Sequence, residues 1–104
     1  MLLAETWSTV AAQVHGREYP TNDFAHAWKQ VLFNQFHDIL AGTSLMSAYE
    51  DVRDTYGEAK AIAARHLHGA LQSLSWAIDI PHEEDTQPLV VFNHHPWPVT
   101  AGVE

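Results

Sequence analysis

The residues best suited to chemistry are His37 and Asp38, adjacent in the run Asn34-Gln35-Phe36-His37-Asp38-Ile39-Leu40-Ala41-Gly42-Thr43-Ser44. A neutral imidazole is a good zinc ligand, and a carboxylate beside it can hold a substrate hydroxyl or orient the ligand. Zinc takes three or four protein ligands, however, and no second His or Asp stands three or four residues from His37. Taken by themselves, the two residues are more often a helix-capping or surface pair.

The other histidines offer less. His66 and His68 are two apart on a helix, so they point roughly 200° apart and cannot share an ion. His94 and His95 fall in a proline-bounded loop, where they face solvent or meet a ligand. His15 and His26 stand at helix positions suited to a surface or interhelical hydrogen bond. The carboxylates form no defined acid–base pair, since their separation in space cannot be read from a helix surface. A glycine-rich phosphate loop and a serine nucleophile elbow are both absent.

Three helices must position the His-Asp pair. In the first, Leu3, Trp7, Val10 and Val14 recur at spacings of four, three and four, and His15-Gly16 ends the helix. Pro20 disfavours helix at Tyr19, and Thr21, Asn22 or Asp23 can cap the next helix. This second helix is expected from about Asp23 to about Phe36 or Asp38, with Phe24, Trp28, Leu32 and Phe36 on one stripe and Ala27, Val31 and Gln35 broadening it. Ala41-Gly42 reads as its stop and Thr43 or Ser44 as the cap of the third.

The third and longest helix is expected from about Ser44 to about Ala77, on a stripe of Leu45, Tyr49, Val52, Tyr56, Ala59, Ala63, Leu67, Leu71, Leu74 and Ile78. Glu50, Asp51, Asp54 and Glu58, against Lys60 and Arg65, read as its solvated face. Gly57 and Gly69 each weaken it by about 1 kcal/mol relative to Ala and are candidate bends. After Ile80 the composition turns polar and acidic between Pro81 and Pro88. Leu89-Val90-Val91-Phe92 then reads as a short buried strand, and residues 99–103 as the start of another.

The expected fold is therefore mainly α: a three-helix bundle-like domain over residues 1–80, a linker over 81–88, and a short β segment over 89–104 that begins a β-sandwich-like domain. A hairpin alone is marginal, so the chain reads as a portion of a larger protein. At 104 residues with 46% hydrophobic content, it has enough apolar surface for one modest core. Thirteen acidic residues against five basic give a net charge of −8, the wrong sign for gripping a nucleic acid backbone. With no cysteine there is no disulfide, thiolate metal site or cysteine nucleophile. Neither a signal peptide nor an apolar run of membrane length is visible, so the expectation is a cytoplasmic protein without a membrane partner, its true N-terminus lying upstream.

The run from Ala27 through Ser44, followed by Ala48-Tyr49-Glu50-Asp51-Val52 and Tyr56-Gly57-Glu58-Ala59, closely resembles bacterial α-mannosidases of glycoside hydrolase family 38. Leu89-Val90-Val91-Phe92-Asn93 and Pro96-Trp97-Pro98 look like the start of that family's C-terminal β-domain. Animal members usually carry His-His-Asp where this chain has Phe36-His37-Asp38, so a role for the first of those histidines cannot be transferred.

The resemblance implies a zinc-dependent retaining exo-α-mannosidase acting on mannose-containing oligosaccharides. His37 would be one of four zinc ligands and Asp38 a contact to sugar hydroxyls. The other ligands, the nucleophile and the acid/base would belong to an N-terminal catalytic domain, so this chain alone should neither hold zinc nor turn over substrate. That domain and the C-terminal β-domain would be its partners within one polypeptide. The alternative, from the residues alone, is a non-catalytic acidic helical module that docks a protein.

Overall fold

The computed structural model describes residues 1–100 and residue 102. Four helices follow one another in it: α1, Leu2–His15; α2, Thr21–Phe33; α3, His37–Leu40; and α4, Met46–Trp76. The first ends where the sequence says it should. Gly16 takes the left-handed conformation (φ 66°, ψ 19°), and the amides of Gly16 and Arg17 donate to the carbonyls of Ala12 at 3.0 Å and Ala11 at 3.3 Å. The Gly16 bond is the single bond of a left-handed helix stop, which favours glycine because no Cβ resists the turn.

Both α1 and α2 pack on α4. The pairs Asp23 with His66, Gln30 with Glu58 and Asn34 with Thr55 run in opposite senses, so α2 is antiparallel to α4. Trp28 on α2 donates its indole N–H to Glu5 on α1 at 2.9 Å, closing the third side. The buried seam is built largely from small residues: Ala4, Ser8 and Ala11 on α1, Ala27 beside Phe24 on α2, and Ala59 and Ala70 beside Ile62 on α4. Small side chains let backbones approach closely, so dispersion contacts come from the helix surfaces themselves.

This corrects the expected core. Leu3 and Val14 are exposed, as are Leu32 and Phe36, although each lies on an apolar stripe. On α1 the buried positions 4, 8 and 11 sit one residue, or 100°, round from the stripe 3, 7, 10 and 14. On α4 the stripe holds better, with Ala59 buried and Val52, Tyr56, Leu67 and Leu71 half-buried, while Leu45 and Ile78 at its ends are exposed.

Two further expectations fail at helix boundaries. The second helix is expected to reach Phe36 or Asp38, but α2 stops at Phe33, and α4 starts at Met46 with no side-chain cap from Thr43 or Ser44. At the two candidate bends, Gly57 and Gly69, α4 continues as one helix. At Gly69 the missing side chain is used. Arg17 lays its guanidinium across the helix there and donates from Nη1 to the Gly69 carbonyl at 3.1 Å, whereas a Cβ would stand 2.6 Å from its Nη2. Nothing lies within 4 Å of the space beside Gly57. Gly57→Ala is accordingly expected to stabilise the chain by about 0.5–1 kcal/mol through helix propensity. Gly69→Ala, which must displace Arg17, should forfeit most of that gain, a difference that thermal denaturation of the two variants resolves.

Residues 77–100 form neither helix nor strand, so the expected β segment over residues 89–92 is not present among the described residues. A strand requires an edge to pair with, and the helices offer none. Instead Phe92 sets its ring edge-on against Trp7 of α1, with centroids 5.1 Å apart. The second expected strand covers residues 99–103, of which 101 and 103 lie outside the described residues. With this tail the radius of gyration is 18.0 Å, against about 13 Å for a compact chain of 100 residues, and the long axis measures 58 Å.

Candidate functional site

The His-Asp pair sits at the tip of the bundle, in α3 rather than at the end of α2. The break falls just after Asn34. Its backbone N–H still closes the helical bond to the Gln30 carbonyl at 3.3 Å while its side-chain amide donates to the same oxygen at 2.9 Å. The next amide, of Gln35, turns to the Leu32 carbonyl at 3.1 Å. Phe36 then takes an extended conformation (φ −54°, ψ 138°), and the single turn of α3 comes next. Gly42, at φ 80°, allows the chain to double back toward α4.

His37 Nε2 lies 3.2 Å from Asp38 Oδ1, and their side chains are 79% and 57% exposed. The imidazole is flanked by the Phe36 ring, with centroids 4.2 Å apart. The pair is therefore together, accessible and unburied, open to a ligand that approaches from outside the bundle. Among the described residues no group of three or more His, Cys, Asp or Glu side chains gathers to hold an ion. Around the pair, Leu32, Phe33, Phe36, Leu40, Leu45 and Met46 are all more than half exposed. A monomer rarely leaves so much apolar surface in one stretch without a use for it.

The remaining candidates separate as their spacing suggests. His26 donates from Nε2 to the Glu58 carboxylate across α2 and α4, at 3.0 Å, the interhelical one of the two roles its position suits. His66 turns inward and His68 outward. His94 and His95 tilt against each other with centroids 3.8 Å apart, and Trp97 stacks on His95 at 5.0 Å, in a loop far along the tail. No helix among the described residues is long and apolar enough to cross a membrane.

At the opposite end of α2 a second charged cluster serves structure. Asp23 Oδ2 lies 2.6 Å from His66 Nε2 and 2.7 Å from Arg65 Nη2. The hydrogen bond from His66 holds the Asp23 carboxyl below its ordinary value, aided by Arg65 and opposed by partial burial. A depressed carboxylate contributes stability that is present above the unfolded value of 3.8 and is lost as pH falls through the folded value. The melting temperature of Asp23→Asn is therefore expected to fall less steeply than wild type below pH 3.8, as a series of acid melts would measure.

The sequence matches the family model described as alpha mannosidase middle domain over residues 1–74. The chain belongs to this family. The matched segment of the alpha mannosidase middle domain holds α1, α2, α3 and all but the last residues of α4, and it contains the His37–Asp38 turn. Alpha-mannosidase 2C1 of Mus musculus is similar at 30% identity over 80 residues, which is 76% of this chain and 7% of that protein. Alpha-mannosidase 2C1 of Homo sapiens is similar at 29% over 80 residues, again 76% of this chain and 7% of that protein. The chain thus spans a small part of the length of the curated relatives it matches. No solved structure matches it.

Sequence reasoning misses the side chains that hold this family's turn in place. Asn34, Thr55 and Tyr49 bond across the tip, yet Asn34 falls within an expected helix and Tyr49 within an apolar stripe. The signal is available in Asn34, since an asparagine near a helix end competes for its own backbone.

Proposed function

We propose that residues 1–104 are a segment of a zinc-dependent, retaining exo-α-mannosidase that removes terminal α-mannose from oligosaccharides, and that they include its helical middle domain. In this reading His37 is a zinc ligand and Asp38 a contact to sugar hydroxyls. The observation that carries it is the exposed His37–Asp38 pair at the bundle tip, set among uncovered apolar side chains, in a chain of the alpha mannosidase middle domain family.

The donors suit the ion, since imidazole nitrogen and carboxylate oxygen are both common zinc ligands. Both side chains are exposed enough to turn toward an incoming surface. One imidazole is an incomplete set, so the reading assigns the other ligands, the nucleophile and the acid/base to an N-terminal catalytic domain of the parent polypeptide. Zinc, when bound, supplies Lewis-acid stabilisation of charge near the sugar hydroxyls. His37 contributes a neutral donor, and the Asp38 carboxylate accepts from hydroxyl groups. The apolar side chains from Leu32 to Met46 would be covered by that catalytic domain. Residues 1–80 would then be the middle domain, 81–88 a linker, and 89–104 the start of a β-domain in which residues 89–92 gain a partner strand.

The isolated chain, dialysed after purification, is expected to hold no stoichiometric zinc and to cleave no aryl α-mannoside, while the parent polypeptide does both. Turnover by the isolated chain that disappears on His37→Ala would sink the division of labour. A parent that neither holds zinc nor cleaves mannosides would leave the acidic docking module as the reading.

A further inference from the structure

The short helix α3 does not hold itself. It has four residues and no buried side chain, and one helical turn does not persist on its own hydrogen bonds. Its surroundings must therefore decide where His37 and Asp38 point.

Two side chains do this from opposite sides. Asn34, only 3% exposed, donates from Nδ2 to the Gln30 carbonyl and, at 2.8 Å, to Thr55 Oγ1 on α4. Thr55 passes its own hydrogen to the carbonyl of Asp51 at 3.0 Å, so the chain of bonds is continuous from α2 into the α4 backbone. On the other side, the Tyr49 hydroxyl accepts from the Ser44 amide at 3.0 Å and donates to the Ile39 carbonyl at 3.3 Å, with the Asp38 carbonyl 3.4 Å away. A buried amide costs stability unless it is paired, and among the described residues Asn34 and Ser8 are the buried polar ones. Here the pairing anchors the end of α2 to α4. Without that anchor the end of α2 is free to shift, and a change of one residue in where it stops turns the direction of His37 by 100°.

We infer that Asn34 and Tyr49 are the positioning residues of the His37–Asp38 turn, jointly fixing from α4 the direction in which imidazole and carboxylate meet a metal ion and a sugar, an inference that rests on the reading of that pair above. Neither residue touches the ligand; both act through α3.

Hydrogen–deuterium exchange on the polypeptide in which residues 1–104 occur, free of metal, tests this directly. Asn34→Ala, Thr55→Val and Tyr49→Phe are compared with Ile62→Val, which loosens the buried seam without touching either bond set. Exchange over residues 38–44 is expected to rise on the order of ten-fold in the first three, beyond any rise elsewhere in the bundle, and to follow the rest of the bundle in Ile62→Val. Thr55→Val keeps the shape of the side chain and so covers the case in which Asn34→Ala fails to fold. Unchanged exchange over residues 38–44, or an equal rise in Ile62→Val, overturns the inference.

Titration with zinc alone separates it from the reading it rests on. Asn34→Ala and Tyr49→Phe should lose on the order of ten-fold in zinc affinity, and His37→Ala far more. If His37→Ala keeps its zinc while the exchange pattern holds, the metal reading fails and the positioning stands. If His37→Ala loses zinc and neither exchange nor affinity moves in the other variants, the positioning fails alone.

Discussion

His37→Ala in the parent polypeptide is expected to abolish retention of zinc through dialysis and to lower kcat/KM by well over the roughly 10–100-fold that loss of an outer-shell partner costs. The reason lies in how little else the tip provides. Its imidazole is 79% exposed and meets neighbours that are themselves exposed, Asp38 and the Phe36 ring, and surface changes of that kind alter stability by about 0.5 kcal/mol. Loss of metal and activity, with the melting temperature of the metal-free protein unchanged, is therefore the signature. Asp38→Asn should behave differently, keeping metal while raising KM, because it leaves the imidazole in place and weakens an acceptor for hydroxyl groups. Metal analysis and a melt of each variant, run beside the kinetics, distinguish these outcomes. A His37→Ala protein that retains one zinc would remove His37 from the ligand set.

The second large effect is expected in the seam. Ala27 is fully buried against Ala59 and Ile62, and Ala27→Leu inserts further carbons where two helix backbones nearly touch. Overpacking of this kind costs about 1–3 kcal/mol, and occasionally more. In a domain of this size each kcal/mol moves the melting temperature by about 4–8 °C, so a drop on the order of 10 °C is expected. Leu32→Ala is the contrasting test, for Leu32 lies on the apolar stripe of α2 but is 62% exposed. In the isolated chain it should melt within a few degrees of wild type. Equal losses from both variants would mean that the stripe, and not the alanine seam, carries the core.

These variants divide what is legible in the sequence from what is not. The existence and type of α1, α2 and α4 emerge from apolar spacing, and the stop at Gly16 from its lack of a side chain. For His26 the spacing leaves a surface or an interhelical bond open, and the second is found. Which stripe faces inward is not, because positions 3, 7, 10, 14 and positions 4, 8, 11 share nearly the same period and differ only by 100° of rotation. Large residues mark one stripe, whereas close backbone approach selects the small ones. The tie from Asn34 to α4 escapes because it depends on Thr55, 21 residues away, accepting the amide. The use made of Gly69 is likewise a tertiary outcome: Arg17 occupies the space that it leaves. For the site, spacing supplies only a helix end with two polar groups, and the family resemblance supplies the meaning attached to His37 and Asp38.

One property of α4 reaches beyond any single contact. Its 31 residues span about 46 Å, and they carry Tyr49 and Thr55 near one end and the seam residues Ala59, Ile62 and Ala70 farther along. The helix thus sets an angular phase between the grip on the tip and the grip on α1 and α2. A substitution on its outer face leaves that phase alone. One residue added between Thr55 and Ala59 would swing both tip contacts a quarter-turn and more out of line with the seam, so the gene should tolerate exchange of letters here far better than any change in their number.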